Sequence, residues 1–130
     1  MSTYYFEYDA ANKILAVRFE AALTDDILCE YYAAAPAVIA PHEVRVGILD
    51  LTGLTSFDVS ADTIRRLAAR QPLIPDPIPR FIVAPSDVAF GMARMFQLSD
   101  RSREMLHIVR SIDEAYLKAG VTEPRFERLA

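Results

Sequence analysis

The stretch that decides the fold covers residues 44–67 and has the sequence VRVGILDLTGLTSFDVSADTIRRL. It opens with VRVGILDL, which is mostly apolar and β-branched, as is typical of a central strand buried on both faces. Ser60 fits the N-cap of a following helix, because its hydroxyl can accept a hydrogen bond from a free N–H group of the first turn. The stretch therefore predicts a strand, an apolar loop and a helix, which is the repeating unit of α/β proteins.

The N-terminal part of the chain predicts a β-hairpin and a first helix. Residues 4–8 and 13–19 have the composition and alternation of strands, and residues 9–12 (DAAN) supply turn residues between them. Thr24 fits the N-cap of the first helix, which has two acids in its first turn. We expect this helix to end or kink at Pro36.

The rest of the chain continues the alternation of strands and helices. Strands are predicted at residues 81–84 and 105–109, helices are capped by Ser86 and Ser111, and a proline-rich loop occupies residues 71–79. Such alternation implies parallel strands joined by right-handed crossovers. We therefore predict an α/β domain over residues 1–120: an N-terminal β-hairpin, then βα units, forming a mixed, mostly parallel five-stranded sheet with about four helices. Residues 121–130 are predicted to be a loosely held C-terminal tail.

Composition narrows the classes of function. Hydrophobic residues make up 52% of the 130 residues, and the net charge is −4. Lysines and arginines do not cluster along any predicted helix face, which argues against nucleic-acid binding. Cys29 is the single cysteine, so neither an internal disulfide nor a thiolate metal site is expected. The sequence shows no secretion signal and no apolar run of about 20 residues, so we expect a cytoplasmic protein without a membrane span.

Two segments resemble a known family. Residues 47–67 (GILDLTGLTSFDVSADTIRRL) are similar to the central strand, loop and helix start of STAS domains, the family of anti-sigma-factor antagonists and sulfate-transporter domains. Residues 80–96 (RFIVAPSDVAFGMARMF) resemble a bacterial subgroup of small STAS-like proteins. The resemblance implies the fold predicted above and a regulatory module that binds other proteins.

The resemblance also locates the family's phosphorylation switch and shows that it is altered. In STAS domains the phosphorylated residue is the first serine of an Asp-Ser-Ser-Gly motif. Asp58 and Ser60 match that motif, but Val59 lies at the phosphorylated position and Ala61 replaces the glycine. The usual phosphoserine switch is therefore not expected. Ser60 or Ser56 could accept phosphate instead, although the simpler interpretation of Ser60 is a helix cap.

The predicted helix over residues 87–98 is apolar on more than one face. One stripe of Val88, Met92, Met95 and Phe96 can cover the sheet, while a second, around Phe90, also needs cover. Gly91 would let another backbone approach, and Arg94 is the single charge between the stripes. The candidate interface or apolar-ligand residues are therefore Phe90, Gly91, Met92, Arg94, Met95 and Phe96. The alternative is that the proline-rich loop or Phe126 and Leu129 of the tail cover this helix.

The sequence offers little chemistry for catalysis. His42 and His107 do not share metal-ligand spacing with other residues, and Cys29 fits a small core residue. Asp50 and Asp58 flank the predicted loop at the strand end where α/β proteins bind ligands, but these acids argue against a small anion there. We therefore predict no enzyme, no metal and no cofactor.

Three functions stay open from the sequence, of which an enzyme has the least support because no constellation of acid, base or nucleophile stands out. The first is a protein-interaction or regulatory module that forms a homodimer and binds a regulatory protein partner, as STAS domains do. The second is a carrier or sensor of a small apolar ligand or lipid, held beneath the helix over residues 87–98. An unfilled cavity there would favour the second.

Overall fold

The computed structural model describes residues 3–101 and 103–129, and within them it contains a six-stranded sheet and four α-helices. The strands are β1 (Tyr4–Asp9), β2 (Ile14–Thr24), β3 (Val46–Asp58), β4 (Arg80–Val83), β5 (Leu106–Val109) and β6 (Glu127–Arg128). The helices are α1 (Asp25–Ile39), α2 (Ala61–Ala68), α3 (Asp87–Ser99) and α4 (Ile112–Ala119), and a short 3₁₀ turn spans Arg103–Met105.

The sheet confirms the predicted α/β class. Its strand order is β5-β4-β3-β2-β1-β6, with β2 to β5 parallel and the β1–β2 hairpin antiparallel. The sequence predicted five strands, and the sixth is β6, which pairs antiparallel with β1 by placing Arg128 opposite Glu7. Two charged, exposed residues carry no strand pattern, so β6 was not predictable from periodicity.

The C-terminal segment is held more firmly than predicted. The backbone N–H of Leu129 donates to the carbonyl of Phe6 at 2.9 Å, and that of Arg125 donates to Asp9 Oδ2 at 3.0 Å. The ring of Phe126 lies 4.9 Å from the guanidinium carbon of Arg18. These contacts fasten the segment to the β1 edge of the sheet.

The helices cover the two faces of the sheet unequally. The crossover helices α1, α2 and α3 all contribute to one core cluster, as right-handed connections between successive parallel strands require. In that cluster Tyr31, Leu67 and Ala93 share the core with the sheet residues Val17 and Ile82. On the opposite face α4 and the C-terminal segment form a smaller cluster.

The sequence predicted that α1 would end or kink at Pro36. The helix does not end there, so this part of the prediction is wrong. Pro36 lies inside α1, and its carbonyl accepts a hydrogen bond from the N–H of Ala40 at 3.0 Å. Pro36 is exposed, while its neighbour Ala35 is fully buried against the sheet. Burial of this inner face offsets the loss of one backbone hydrogen bond at the proline.

The strand β3 is longer than predicted, and the apolar loop expected after residue 51 does not exist. Residues 52–58 continue β3 and pair with an equally extended β2, where Leu54 lies opposite Ala21 and Phe57 opposite Leu23. Gly53 permits this close pairing, since a Cβ atom there would lie 2.8 Å from the carbonyl oxygen of Phe19. The predicted switch segment is therefore largely strand.

Candidate functional site

A cavity lies between the sheet and the three helices of its larger core. Its volume is about 120 Å³, and its walls are mostly apolar. The sheet contributes Val17, Leu49 and Ile82 to the wall, and the helices contribute Leu28, Leu67 and Ala93. Protein interiors are close-packed, and a space of this size is larger than the gaps between ordinary core side chains. The cavity is therefore the first candidate for a functional site.

The proline-rich segment closes one end of the cavity. Residues 71–74 line it together with Arg80 at the start of β4 and Asp100 just after α3. The tip of Ile74 rests on the backbone of Gly47, where any Cβ atom would clash with the Ile74 Cδ1 atom. Gly47 thus allows the segment to lie directly on β3.

Two tyrosines, one ion pair, Arg70 and Gln71 give the cavity its polar groups. Tyr31 and Tyr32 of α1 line it, and burial raises the pKa of both hydroxyls. Within residues 3–101 and 103–129 neither hydroxyl has a hydrogen-bond partner. Arg80 donates to both carboxylate oxygens of Asp100, at 3.0 and 3.2 Å, and this pair is buried. Tyr31, Tyr32, Arg80 and Asp100 were not among the site residues predicted from the sequence.

The six candidate residues of α3 divide between the cavity and the surface. Met92 and Phe96 line the cavity, while Met95 packs against the same core. Phe90 is partly buried and carries the guanidinium of Arg110 over its ring at 4.1 Å. The other two, Gly91 and Arg94, are exposed, and no described atom lies within 4 Å of a Cβ built on Gly91.

The inner stripe of α3 was predicted wrongly at one position. Val88 was expected to cover the sheet, yet 63% of it is exposed, and Ala89 and Ala93 occupy the buried positions instead. Leu98, at the other end of α3, is 68% exposed. The tail does not cover this helix, because β6 lies at the opposite edge of the sheet from β4 and β5. The outer surface of α3 therefore presents apolar side chains to solvent.

The switch candidates lie at the other end of the core, around the start of α2. Ser60 is the N-cap of α2: its hydroxyl accepts from the N–H of Thr63 at 3.2 Å. The backbone N–H of Ser60 donates to Asp25 Oδ1 at 2.8 Å, and this hydrogen bond is the main reason that the pKa of Asp25 is lowered. Ser56 is exposed on β3, and Asp58 pairs with Thr24 at its end. A carboxylate thus already occupies the position at α2 where a phosphate would bind.

Asp50 belongs to an ion-pair network rather than to a ligand site. Arg18 donates to Asp50 Oδ2 at 2.8 Å and to Glu7 Oε1 at 2.6 Å, on the face of the sheet that carries α4. Burial by itself would lower the pKa of Arg18, but the two carboxylates outweigh it and raise that pKa. The network links three neighbouring strands, β1, β2 and β3.

The other residues that could take part in catalysis or metal binding lie apart from one another. The ring of His42 packs against Tyr8 and that of His107 stacks on Phe81, with centroids 4.4 and 5.1 Å apart. Cys29 is partly buried beside the larger core. No group of three or more His, Cys, Asp or Glu residues in the described part of the chain is placed to hold a metal ion. In the same ranges no helix is both long and apolar enough to cross a membrane.

The fold and the cavity define the class of protein to which the chain belongs in structural terms: an α/β domain with a partly open apolar cavity under its crossover helices. Comparison with known proteins adds no narrower class, since no protein-family model matches the chain and no curated protein is significantly similar to it in sequence.

Proposed function

We propose that the protein is a non-enzymatic binding module that holds a small apolar molecule in the cavity beneath α3, as a carrier or a sensor. The observation that carries this proposal is the cavity of about 120 Å³ with apolar walls. An apolar space in a core deprives its lining atoms of packing contacts, and those missing contacts cost free energy. A ligand that fills the space recovers that free energy, which is the physical basis for binding.

The polar groups of the cavity suit binding better than catalysis. Burial raises the pKa of Tyr31 and Tyr32, so both hydroxyls stay protonated at neutral pH and are poor bases. Arg80 and Asp100 satisfy each other's charge. Such groups orient a ligand through hydrogen bonds and do not supply a nucleophile.

A direct test compares wild type with Ala93→Leu, a variant that fills the cavity from α3. Protein purified without detergent is first analysed by native mass spectrometry for a discrete non-covalent mass. The thermal midpoint is then measured with benzene, octanoate and phenol. The proposal requires that a bound mass or a rise in the midpoint occurs in wild type and disappears in Ala93→Leu. If no probe binds wild type and no mass co-purifies with it, the proposal is wrong.

The second candidate function is the regulatory module that the STAS resemblance implies, with a homodimer formed through the outer surface of α3. The observation in its favour is the exposure of Val88 and Leu98, which lie on either side of Gly91 on that surface. Apolar side chains exposed on one helix face are a feature of protein–protein contacts. A regulatory protein partner in the cytoplasm could sense the filled cavity through the same helix.

The oligomeric state tests this second function. Sedimentation equilibrium is run on wild type, on the double variant Val88→Asp/Leu98→Asp, and on Leu117→Asp as a matched control. Leu117 is 81% exposed but lies on α4, so its substitution should leave the mass unchanged. A dimer that only the α3 variant dissociates supports the interface, whereas a wild-type monomer excludes the homodimer.

A further inference from the structure

The dimensions of the cavity limit the ligand, if the proposed binding function holds. An engineered apolar cavity of about 150 Å³ in another protein holds benzene. The cavity here is about 120 Å³ and is partly open, so a single ring fits where a long acyl chain would have to extend out of it. The space therefore favours a compact molecule over a lipid chain.

The walls favour an aromatic compound over an aliphatic one. Phe6 and Tyr31 both line the cavity, with ring centroids 5.9 Å apart, and Tyr32 lies 5.2 Å from Tyr31 at an interplanar angle of 75°. Phe57 and Phe96 add rings from β3 and α3. Aromatic rings prefer such edge-to-face and offset contacts, with centroids roughly 4.5 to 7 Å apart, so a ligand ring would extend an existing cluster.

The two tyrosine hydroxyls favour a ligand that carries a polar atom. Both belong to residues that line the cavity, and Tyr31 is more than nine-tenths buried. In the part of the chain that the structure describes, no protein group is hydrogen-bonded to either hydroxyl. Neither hydroxyl oxygen is among the fully buried polar atoms that lack a partner, so each is accessible from the cavity or from solvent, and a ligand with one donor or acceptor can bond to it.

The charge balance of the cavity favours a neutral ligand. Arg80 and Asp100, the charged pair at its polar end, are bidentate and oppositely charged, so together they carry no net charge. The third charged residue of the lining, Arg70, is exposed to solvent. An ionised group held in the apolar part of the space would lack a compensating partner, which is costly.

From these features we propose that the ligand is a neutral, single-ring aromatic molecule that carries one hydrogen-bonding group, with phenol as the simplest representative. Its ring would lie among Phe6, Tyr31 and Phe96, and its polar atom would bond to Tyr31 or Tyr32. The proposal names the ligand class for the cavity described above and therefore rests on the proposed function.

Four small molecules test the parts of this proposal separately: the aromatic ring, the hydrogen-bonding group and the neutral charge. Phenol, toluene, cyclohexanol and octanoate are titrated into the full chain by isothermal calorimetry, with saturation-transfer NMR for weak binders. The variants are Ala93→Leu, Tyr31→Phe and Tyr32→Phe, and Tyr5→Phe is the matched control because Tyr5 does not line the cavity. Circular dichroism verifies that each variant is folded.

The expected result is that phenol binds wild type and Tyr5→Phe more tightly than the other three probes. Ala93→Leu should abolish binding, and at least one of the two cavity Tyr→Phe variants should weaken phenol roughly three- to tenfold relative to toluene, the effect of one hydrogen bond. If toluene binds wild type as tightly as phenol does, the proposed hydrogen bond between the ligand and a cavity tyrosine is refuted. Cyclohexanol binding as tightly as phenol would overturn the aromatic class.

Two further outcomes separate this inference from the proposed function. Octanoate binding that Ala93→Leu blocks, without phenol binding, would overturn the aromatic ligand while the cavity keeps its binding function. No binding of any probe would overturn both proposals together. Equal phenol binding by wild type and Ala93→Leu would place the ligand outside the cavity and overturn the inference.

Discussion

Filling the cavity from α3 should stabilise the protein while it removes ligand binding. Ala93 is only 5% exposed and lines the cavity, so Ala93→Leu adds three carbon atoms to an existing space. Burial of three carbon atoms gains about 2.4 kcal/mol at about 0.8 kcal/mol each. Ordering the leucine side chain costs roughly 0.5–1 kcal/mol. The net gain is about 1.5 kcal/mol, which corresponds to a rise of about 5 °C in Tm for a chain of this length.

The assay is equilibrium urea denaturation followed by circular dichroism, with Tm from calorimetry. The matched control is Ala33→Leu, which makes the same change on the exposed side of α1. Surface substitutions of this kind usually change stability by less than about 0.5 kcal/mol. Subtracting the control removes the difference in helix propensity and leaves the contribution of the cavity.

The sign of the change in unfolding free energy of Ala93→Leu decides whether the cavity exists. Inserting carbon atoms into a well-packed core costs roughly 1–3 kcal/mol, so a variant that is less stable than wild type by such an amount would show that no usable space exists beside Ala93. That result would refute the cavity and, with it, the binding function. A stabilised variant that still binds phenol would refute the location of the ligand only.

Three other perturbations test the framework around the cavity. Asp9→Ala should cost about 2–4 kcal/mol at pH 7 in urea denaturation, because the buried carboxylate accepts several hydrogen bonds, one of them from Arg125 N–H. Burial by itself would raise the pKa of Asp9, but these hydrogen bonds outweigh it and lower the pKa below 3.8. The difference in unfolding free energy between Asp9→Ala and wild type should therefore shrink only as the pH falls below about 4. An unchanged difference at pH 2 would contradict this assignment. Arg18→Met should cost about 3 kcal/mol at pH 7, since two largely buried carboxylates lose their partner. A loss under 1 kcal/mol would show that the network is solvated. Ser60→Ala should cost about 1 kcal/mol through loss of the α2 cap. Ser60→Glu should cost more than that, because the carboxylate of Asp25 lies beside it. If Ser60→Glu is as stable as wild type, the phosphorylation hypothesis is open again.

Local signals in the sequence predicted most of the fold. The hydroxyls of Thr24, Ser60, Ser86 and Ser111 each accept a hydrogen bond from an N–H group in the first turn of a helix, as expected. An N-cap depends on one side chain and its nearest backbone, so the sequence contains all the information that it needs. The extension of β3 and the strand β6 depend on partners far along the chain, and neither has an alternating pattern of its own.

The candidate site was predictable only in part. The apolar excess of residues 87–98 indicated an interface or an apolar-ligand site on α3, and two of the candidate residues, Met92 and Phe96, line the cavity. Tyr31 and Tyr32 were missed, because a tyrosine in a helix is usually an ordinary partly buried residue. A signal for the cavity itself existed in the alanines of α2 and α3, since Ala68, Ala89 and Ala93 line it.

The same signal explains how the cavity arises. Each of the three helices over the larger core presents alanine at buried positions: Ala35 in α1, Ala68 in α2, and Ala89 and Ala93 in α3. Ala68, Ala89 and Ala93 line the cavity, so larger apolar residues at these three positions would fill it and stabilise the fold, by the same reasoning as for Ala93→Leu. A chain that needed only stability would gain from any of these substitutions. The alanines of α2 and α3 therefore leave a space in the core, and the proposed ligand would supply the packing contacts that larger side chains would otherwise make there.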